Sequence, residues 1–374
     1  MSQDFSRRGF LAGLTAGGTT LALAPEAAMA AGPNAAGTAP EGLVQAVHPL
    51  AELKPVATPI RVMVAAKLAP DELDQIRQAA PGVDLVVPRD VAERHAAAAS
   101  VEVILGEPDP ETIRAASGLK WVQHWAAGVE RLPREIMEHP CVLTNMQRVF
   151  APVIAESVFG LLLSLTRGVA QDAVPNMPRR KWAAATVPLE DLYQKTLGCV
   201  GLGGIGTEVS RRAHYGFGMK VLAVDAKPMP RPEWVAELRE PSWLMQMVPQ
   251  LDVLVSCAPH TRETVKLFGE PLFRAMKKTA YFVNVSRGGL VDQPALARAL
   301  KEGWIRGAGL DVTTPEPLPP EDPLWDCPNL VISPHNSGNA PVRQVRLMAL
   351  VAENVRRYAS GLPLLNVVDK GRGY

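Results

Sequence analysis

Cysteine is scarce in this chain. Cys141, Cys199, Cys257 and Cys327 stand far apart, form no CxxC pair and match no zinc-ligand spacing, so no metal site is expected. Cys199 and Cys257 fall inside apolar runs and read as small buried hydrophobes. An excess of one charge is lacking too: 39 Lys and Arg face 38 Asp and Glu, so no basic excess favours nucleic acid. A membrane-length apolar run is missing near the N-terminus, where Phe10–Ala24 falls short of the roughly 20 residues a bilayer requires. No stable membrane span is expected. With 47% hydrophobic and 21% charged residues over 374 positions, the composition is that of an ordered globular protein, and the length suits two domains.

The N-terminus reads as a targeting segment. Arg7 and Arg8 precede the Phe10–Ala24 stretch, and Ala28 and Ala30 follow in an AxA arrangement. Residues 1–30 therefore look like a twin-arginine export signal cut after about Ala30, which implies contact with export machinery and a periplasmic destination, or a cytoplasmic one if the signal is not used. Residues 31–58, rich in Ala, Pro and Gly without sustained period, read as a linker.

From Ile60 onwards, short aliphatic runs alternate with amphipathic segments: "IRVMVAA", "VDLVV", "VEVILG", "LKWVQHW" and "CVLT". Continuous apolar runs of this length indicate parallel strands covered by helices on both faces. A first α/β unit ends near Phe150. The mostly apolar "APVIAESVFGLLLSLTRGVAQ" then reads as a buried helix joining two lobes. A second α/β series follows, and "PVRQVRLMALVAENVRRYASG" forms a helix able to return to the first lobe.

The second series opens on "TLGCVGLGGIG", which sets Gly201, Gly203 and Gly206 as GxGxxG between a strand and a helix. Glycines there permit a tight turn, let backbone approach a pyrophosphate, and allow close helix packing, while the helix N-terminus supplies positive potential. Asp225 follows at about the 20-residue interval at which a carboxylate accepts the adenosine ribose hydroxyls and repels a 2′-phosphate. NAD is favoured over NADP, although Lys227 lies close enough to soften that exclusion.

Three later strands each end in a polar group: Arg287 in "YFVNVSRGGLVD", Asp311 and Glu316 in "GAGLDVTTPEP", and His335 in "NLVISPHNSG". Groups just past the carboxyl ends of parallel strands converge on the ligand crevice. A guanidinium can hold a carboxylate by paired hydrogen bonds, a histidine can exchange the proton that accompanies hydride transfer, and a neighbouring glutamate stabilises the imidazolium. Each residue alone also suits a structural role: surface ion pair, loop charge, strand cap.

Taken together, "VGLGGIG", "NVSRGGLVDQPALARAL", "GAGLDVTTPEP" and "ISPH" resemble the D-isomer-specific 2-hydroxyacid dehydrogenase family from about Ile60 to the C-terminus. That resemblance implies two doubly wound parallel-sheet α/β lobes: a Rossmann dinucleotide-binding domain (151–338) inserted in a flavodoxin-like substrate domain (59–150 with 339–374). It implies Arg287, Glu316 and His335 as the catalytic set. Gly201, Gly203, Gly204, Ile205, Gly206, Asp225, Pro259, Val285 and Asp311 would meet the cofactor, with Asp311 near the nicotinamide carboxamide. Backbone amides around Gly128 and Val129 would join Arg287 in holding the substrate carboxylate. The expected activity is hydride transfer between NAD(H) and a small D-2-hydroxyacid/2-oxoacid pair, in a homodimer. Related formate dehydrogenases carry glutamine where Glu316 stands, so the glutamate favours a hydroxyacid/ketoacid couple. Departures from the family are Asn336, where a small apolar residue is more usual, His260, where leucine is frequent, and the export signal. Two other readings fit the fold: an NAD(H)-binding sensor without turnover, and a methyltransferase-type enzyme with a different cofactor.

Overall fold

The computed structural model describes residues 59–374. The export signal read at 1–30 and the linker read at 31–58 lie outside the described residues.

The first sheet has five strands: β1 (Ile60–Ala65), β2 (Val83–Val86), β3 (Val103–Gly106), β4 (Trp121–Gln123) and β5 (Val142–Thr144), all parallel, in the order 2-1-3-4-5. This is the flavodoxin-like order. Helices α1 (Pro70–Ala79), α2 (Val91–Ala98), α3 (Pro110–Ala115) and α4 (Arg134–Glu138) cross between the strands. Local chemistry starts some of them: Asp90 and Asp109 cap α2 and α3 by accepting the Glu93 and Thr112 amides, and Pro110 occupies the first turn, where its missing N–H costs nothing. Both faces of β3 are buried, as its unbroken apolar run requires. Trp121 in β4 is fully buried, and its indole N–H donates to Thr144 Oγ1 at 2.8 Å.

The second sheet has seven parallel strands: β6 (Thr196–Val200), β7 (Lys220–Val224), β8 (Glu237–Arg239), β9 (Val253–Ser256), β10 (Tyr281–Asn284), β11 (Gly307–Leu310) and β12 (Leu330–Ile332). Its order, β8-β7-β6-β9-β10-β11-β12, is the Rossmann pattern with one added edge strand. The order reverses between β6 and β9, so the crevice where such sheets bind ligands opens past their carboxyl ends.

Helix α5 (Ala151–Thr166) leads into this sheet and buries Ile154, Val158, Phe159, Leu162 and Leu165 in its core. Sequence reading carries the helix on to Gln171. The structure ends it earlier, because Gly168 adopts φ 66°, and the following helical segment Val169–Asn176 departs at 65°. No single helix among the described residues is long and apolar enough to cross a membrane. Helix α6 (Gly204–Phe217) follows β6. Further helices are α7 (Glu270–Ala275), α8 (Gln293–Lys301) and α9 (Arg343–Ala359).

Helix α9 shares a core with the first sheet, where Leu347, Met348, Val351 and Tyr358 pack with Ile60, Val62, Leu105 and Trp121. The chain thus passes from the first sheet to the second near Phe150 and returns near Gly338. The two passages lie side by side: a Cβ on Gly338 would be 3.8 Å from Phe150 Cβ, and Ser157 Oγ donates to Ser337 O at 3.4 Å.

Candidate active site

The glycine turn follows β6. Gly201 has φ 89°, and a Cβ there would lie 2.8 Å from Cys257 O; at Gly206 a Cβ would lie 2.0 Å from Gly201 O. Neither position admits a side chain. Gly203, by contrast, faces open space with nothing within 4 Å. The amides of Gly203, Gly204 and Ile205 donate to no group among the described residues, so the helix N-terminus presents free donors to that space. The cradle fits a dinucleotide pyrophosphate. Asp225 follows β7, and its carboxylate accepts the Leu202 amide at 2.6 Å and the Lys227 amide at 2.7 Å. It therefore braces the turn. Past β9, the Pro259 carbonyl accepts from Thr264 Oγ1 at 2.7 Å, which fixes the loop beside Gly201. Val285 is buried just after β10.

Arg287 sits in the turn after β10. Asn284 shapes this turn: its Nδ2 donates to Arg287 O at 3.0 Å and its Oδ1 accepts from Ser286 N at 3.1 Å. Gly288 is obligatory, since a Cβ would lie 2.0 Å from the Thr313 carbonyl. Through that contact the Arg287 turn backs directly onto the segment carrying Glu316. Glu316 Oε1 accepts the Thr313 amide at 3.1 Å, and its Oε2 accepts from His335 Nδ1 at 2.9 Å. The three residues read as a set thus stand on adjoining turns. With Nδ1–H committed to the carboxylate, Nε2 is the ring atom left for proton exchange.

His335 has φ 49°, an unusual conformation for a residue with a side chain. Asp311 enforces it. The buried Asp311 carboxylate accepts from Ser333 Oγ at 2.7 Å, Asn336 N at 3.0 Å and Ser337 N at 3.1 Å, while Asp311 O accepts His335 N at 2.8 Å. Asp311 thus serves as the scaffold of the histidine turn. His260 packs its ring against Gly289.

The loop after β4 carries Gly128 and Val129, whose amides donate to nothing among the described residues. Two residues missed in sequence join them. Glu130 Oε1 accepts from Arg287 Nε at 2.6 Å; burial favours its neutral form, but the Arg287 guanidinium outweighs this and leaves the carboxyl below its ordinary range. His124 is buried, and its Nε2–H donates to Gly128 O at 3.2 Å, fixing the loop. Burial pushes the His124 pKa down against the opposing pull of Glu107, which favours the neutral ring. "QHW" and "GVE" gave no sign of either role, because each depends on chain-distant neighbours.

Two parallel sheets with a free glycine cradle on one and a guanidinium, carboxylate and imidazole cluster beside it define a dinucleotide-dependent oxidoreductase. The comparisons narrow the class. Residues 159–337 match the model of the D-isomer specific 2-hydroxyacid dehydrogenase NAD binding domain. A glyoxylate reductase from Korarchaeum cryptofilum is 36% identical over 305 residues, covering 80% of this chain and 90% of that protein. A D-isomer specific 2-hydroxyacid dehydrogenase family protein from Aeromonas salmonicida is 30% identical, with a TM-score of 0.68 over 84% of this chain and 100% of that one. An NADPH-dependent glyoxylate/hydroxypyruvate reductase from Sinorhizobium meliloti, solved with NADP and sulfate, is 26% identical, with a TM-score of 0.70 over 84% and 100%. The chain belongs to the D-isomer specific 2-hydroxyacid dehydrogenase family, and is an NAD(P)-dependent oxidoreductase of hydroxyacid/oxoacid pairs.

Proposed function

We propose that the protein reduces a small 2-oxoacid to the D-2-hydroxyacid, with NADH as the preferred reductant and glyoxylate or hydroxypyruvate as the first substrates to try. The observation that carries the reading is the 2.9 Å contact between Glu316 and His335, which leaves one ring nitrogen free for the proton. Arg287, with the free amides of Gly128 and Val129, holds the substrate carboxylate. The bound nicotinamide supplies the hydride. Protonated His335 donates from Nε2 to the substrate oxygen, and Glu316 steadies the imidazolium; oxidation runs through the neutral ring. Asp225 supports NAD over NADP by presenting a carboxylate to the ribose, and Lys227 moderates that preference. The Sinorhizobium relative is NADPH-dependent, so both cofactors belong in the assay.

Residues 59–150 with 339–374 serve as the substrate domain and 151–338 as the dinucleotide domain, in a homodimer. The twin-arginine reading of residues 1–30 adds export of the folded protein to the periplasm with NAD(H) loaded and retained. The test is a panel of 2-oxoacids with NADH and NADPH, run on the chain from Ala31 and followed by reduced-nicotinamide absorbance. Turnover of glyoxylate or hydroxypyruvate, faster with NADH, is expected; dinucleotide binding with no turnover of any 2-oxoacid would leave a sensor instead. Native periplasmic protein purified free of nucleotide would overturn the retention proposal.

A further inference from the structure

Arg148 lies in the turn between β5 and α5, at φ 72°, where side chains are strained and glycine is not. The turn is fixed from several sides. Asn366 Nδ2 donates to Asn145 O at 3.3 Å and Gln147 O at 2.8 Å, Asn145 Nδ2 donates to Ala127 O at 2.6 Å, and the Met146 amide donates to Ala126 O at 3.0 Å. Held this way, Arg148 covers the first residue of α6. A Cβ on Gly204 would come within 2.7 Å of Arg148 Cγ and 2.9 Å of its Cα. Gly204 is bare, and Arg148 fills the place its side chain would take.

The charge of Arg148 is unmatched. Among the described residues it forms no ion pair and no side-chain hydrogen bond; burial lowers its pKa, and only Glu208 pulls the other way. Glu208 is itself engaged by Arg211 at 3.0 Å and by Arg212. A partly buried cation beside the N-terminus of a helix adds to the positive potential already there, an arrangement that becomes favourable only when an anion arrives. The strained backbone and the missing counter-charge have one common explanation.

Resting on the dinucleotide reading of this site, we propose that Arg148 binds the cofactor pyrophosphate, supplied from the crossing between the sheets rather than from the glycine turn. The free amides of Gly203, Gly204 and Ile205 take one side of the phosphates, and Arg148 adds a formal charge. Because the turn is tethered before binding, little ordering is needed when the anion docks.

The test compares R148G, R148Q and R148K with the wild-type chain, using fluorescence titration with NADH and calorimetry with ADP-ribose and adenosine at low and high salt. Loss of the guanidinium should weaken NADH and ADP-ribose by about tenfold and flatten their salt dependence, with adenosine unchanged and R148K intermediate. R148G should melt no lower than wild type, since glycine adopts this φ without strain. Wild-type binding of NADH matched within about twofold by both R148G and R148Q would overturn the proposal, as would equal losses for adenosine. Wild-type protein that binds no dinucleotide at all would instead sink the reading of the site.

Discussion

Glu130 and Arg287 meet at 2.6 Å, joining the loop after β4 in the first sheet to the turn after β10 in the second. Glu130 hydrogen-bonds the guanidinium through Nε. Nη1 donates to Ser286 O at 2.7 Å, and Nη2 faces Gly128, where a Cβ would lie 2.1 Å away. The pair therefore fixes which edge of Arg287 is turned toward the free loop amides. E130Q keeps the shape and removes the charge, so KM for a 2-oxoacid should rise roughly tenfold, with a smaller change in kcat. An unchanged KM would reduce the contact to an ordinary ion pair of little worth.

The same pair predicts an acid limit. The folded-state pKa of Glu130 is lowered from its ordinary 4.5, with burial opposing and Arg287 prevailing. Its contribution to stability is fully present above 4.5 and is lost as pH falls below that value toward the depressed folded pKa. Thermal melts of wild type and E130Q should differ near neutrality and converge in that acid window. Curves that stay parallel through it would dissociate Glu130 titration from stability.

Proton transfer rests on His335 and its tie to Glu316. H335Q should lower kcat by about 100- to 10,000-fold with NADH affinity retained, since no cofactor-cradle group is touched. E316Q preserves the outline but not the charge that stabilises imidazolium, so a loss of about tenfold or more is expected. Stopped-flow reduction of the chosen 2-oxoacid measures both. Near-normal turnover in H335Q would move the acid/base role elsewhere.

Two glycines should respond oppositely to alanine. At Gly288 a Cβ would strike the Thr313 carbonyl at 2.0 Å, backbone against backbone. G288A should destabilise by about 1–3 kcal/mol and displace Arg287. Gly160 sits exposed inside α5 with nothing within 4 Å, so G160A should stabilise by about 0.5–1 kcal/mol. Denaturant midpoints decide both, and a stable G288A would show that the Arg287 and Glu316 turns can separate.

Much of this architecture was legible from residues alone, because parallel strands buried on both faces require unbroken aliphatic runs and the glycine turn requires its own spacing. Arg287, Glu316 and His335 could be grouped on paper because each lies in the segment that follows a strand's carboxyl end. Glu130 could not: its partner lies 157 residues away, and alone it is a loop charge. The sequence reads Asp225 and Asp311 as cofactor contacts; their bracing of the Leu202 and His335 turns emerges only from backbone amides that folding brings to them. The α5 break at Gly168 escaped because the apolar pattern continues past a residue whose positive φ ends the helix.

The neighbouring passages at Phe150 and Gly338 leave the two halves of this protein one easy motion. Tethers that run together act as the spine of a book, so separation is a swing about that line, and twisting or sliding strains both tethers at once. The margin farthest from the spine travels most. Any opening between the halves that keeps both tethers intact would then be described by one angle.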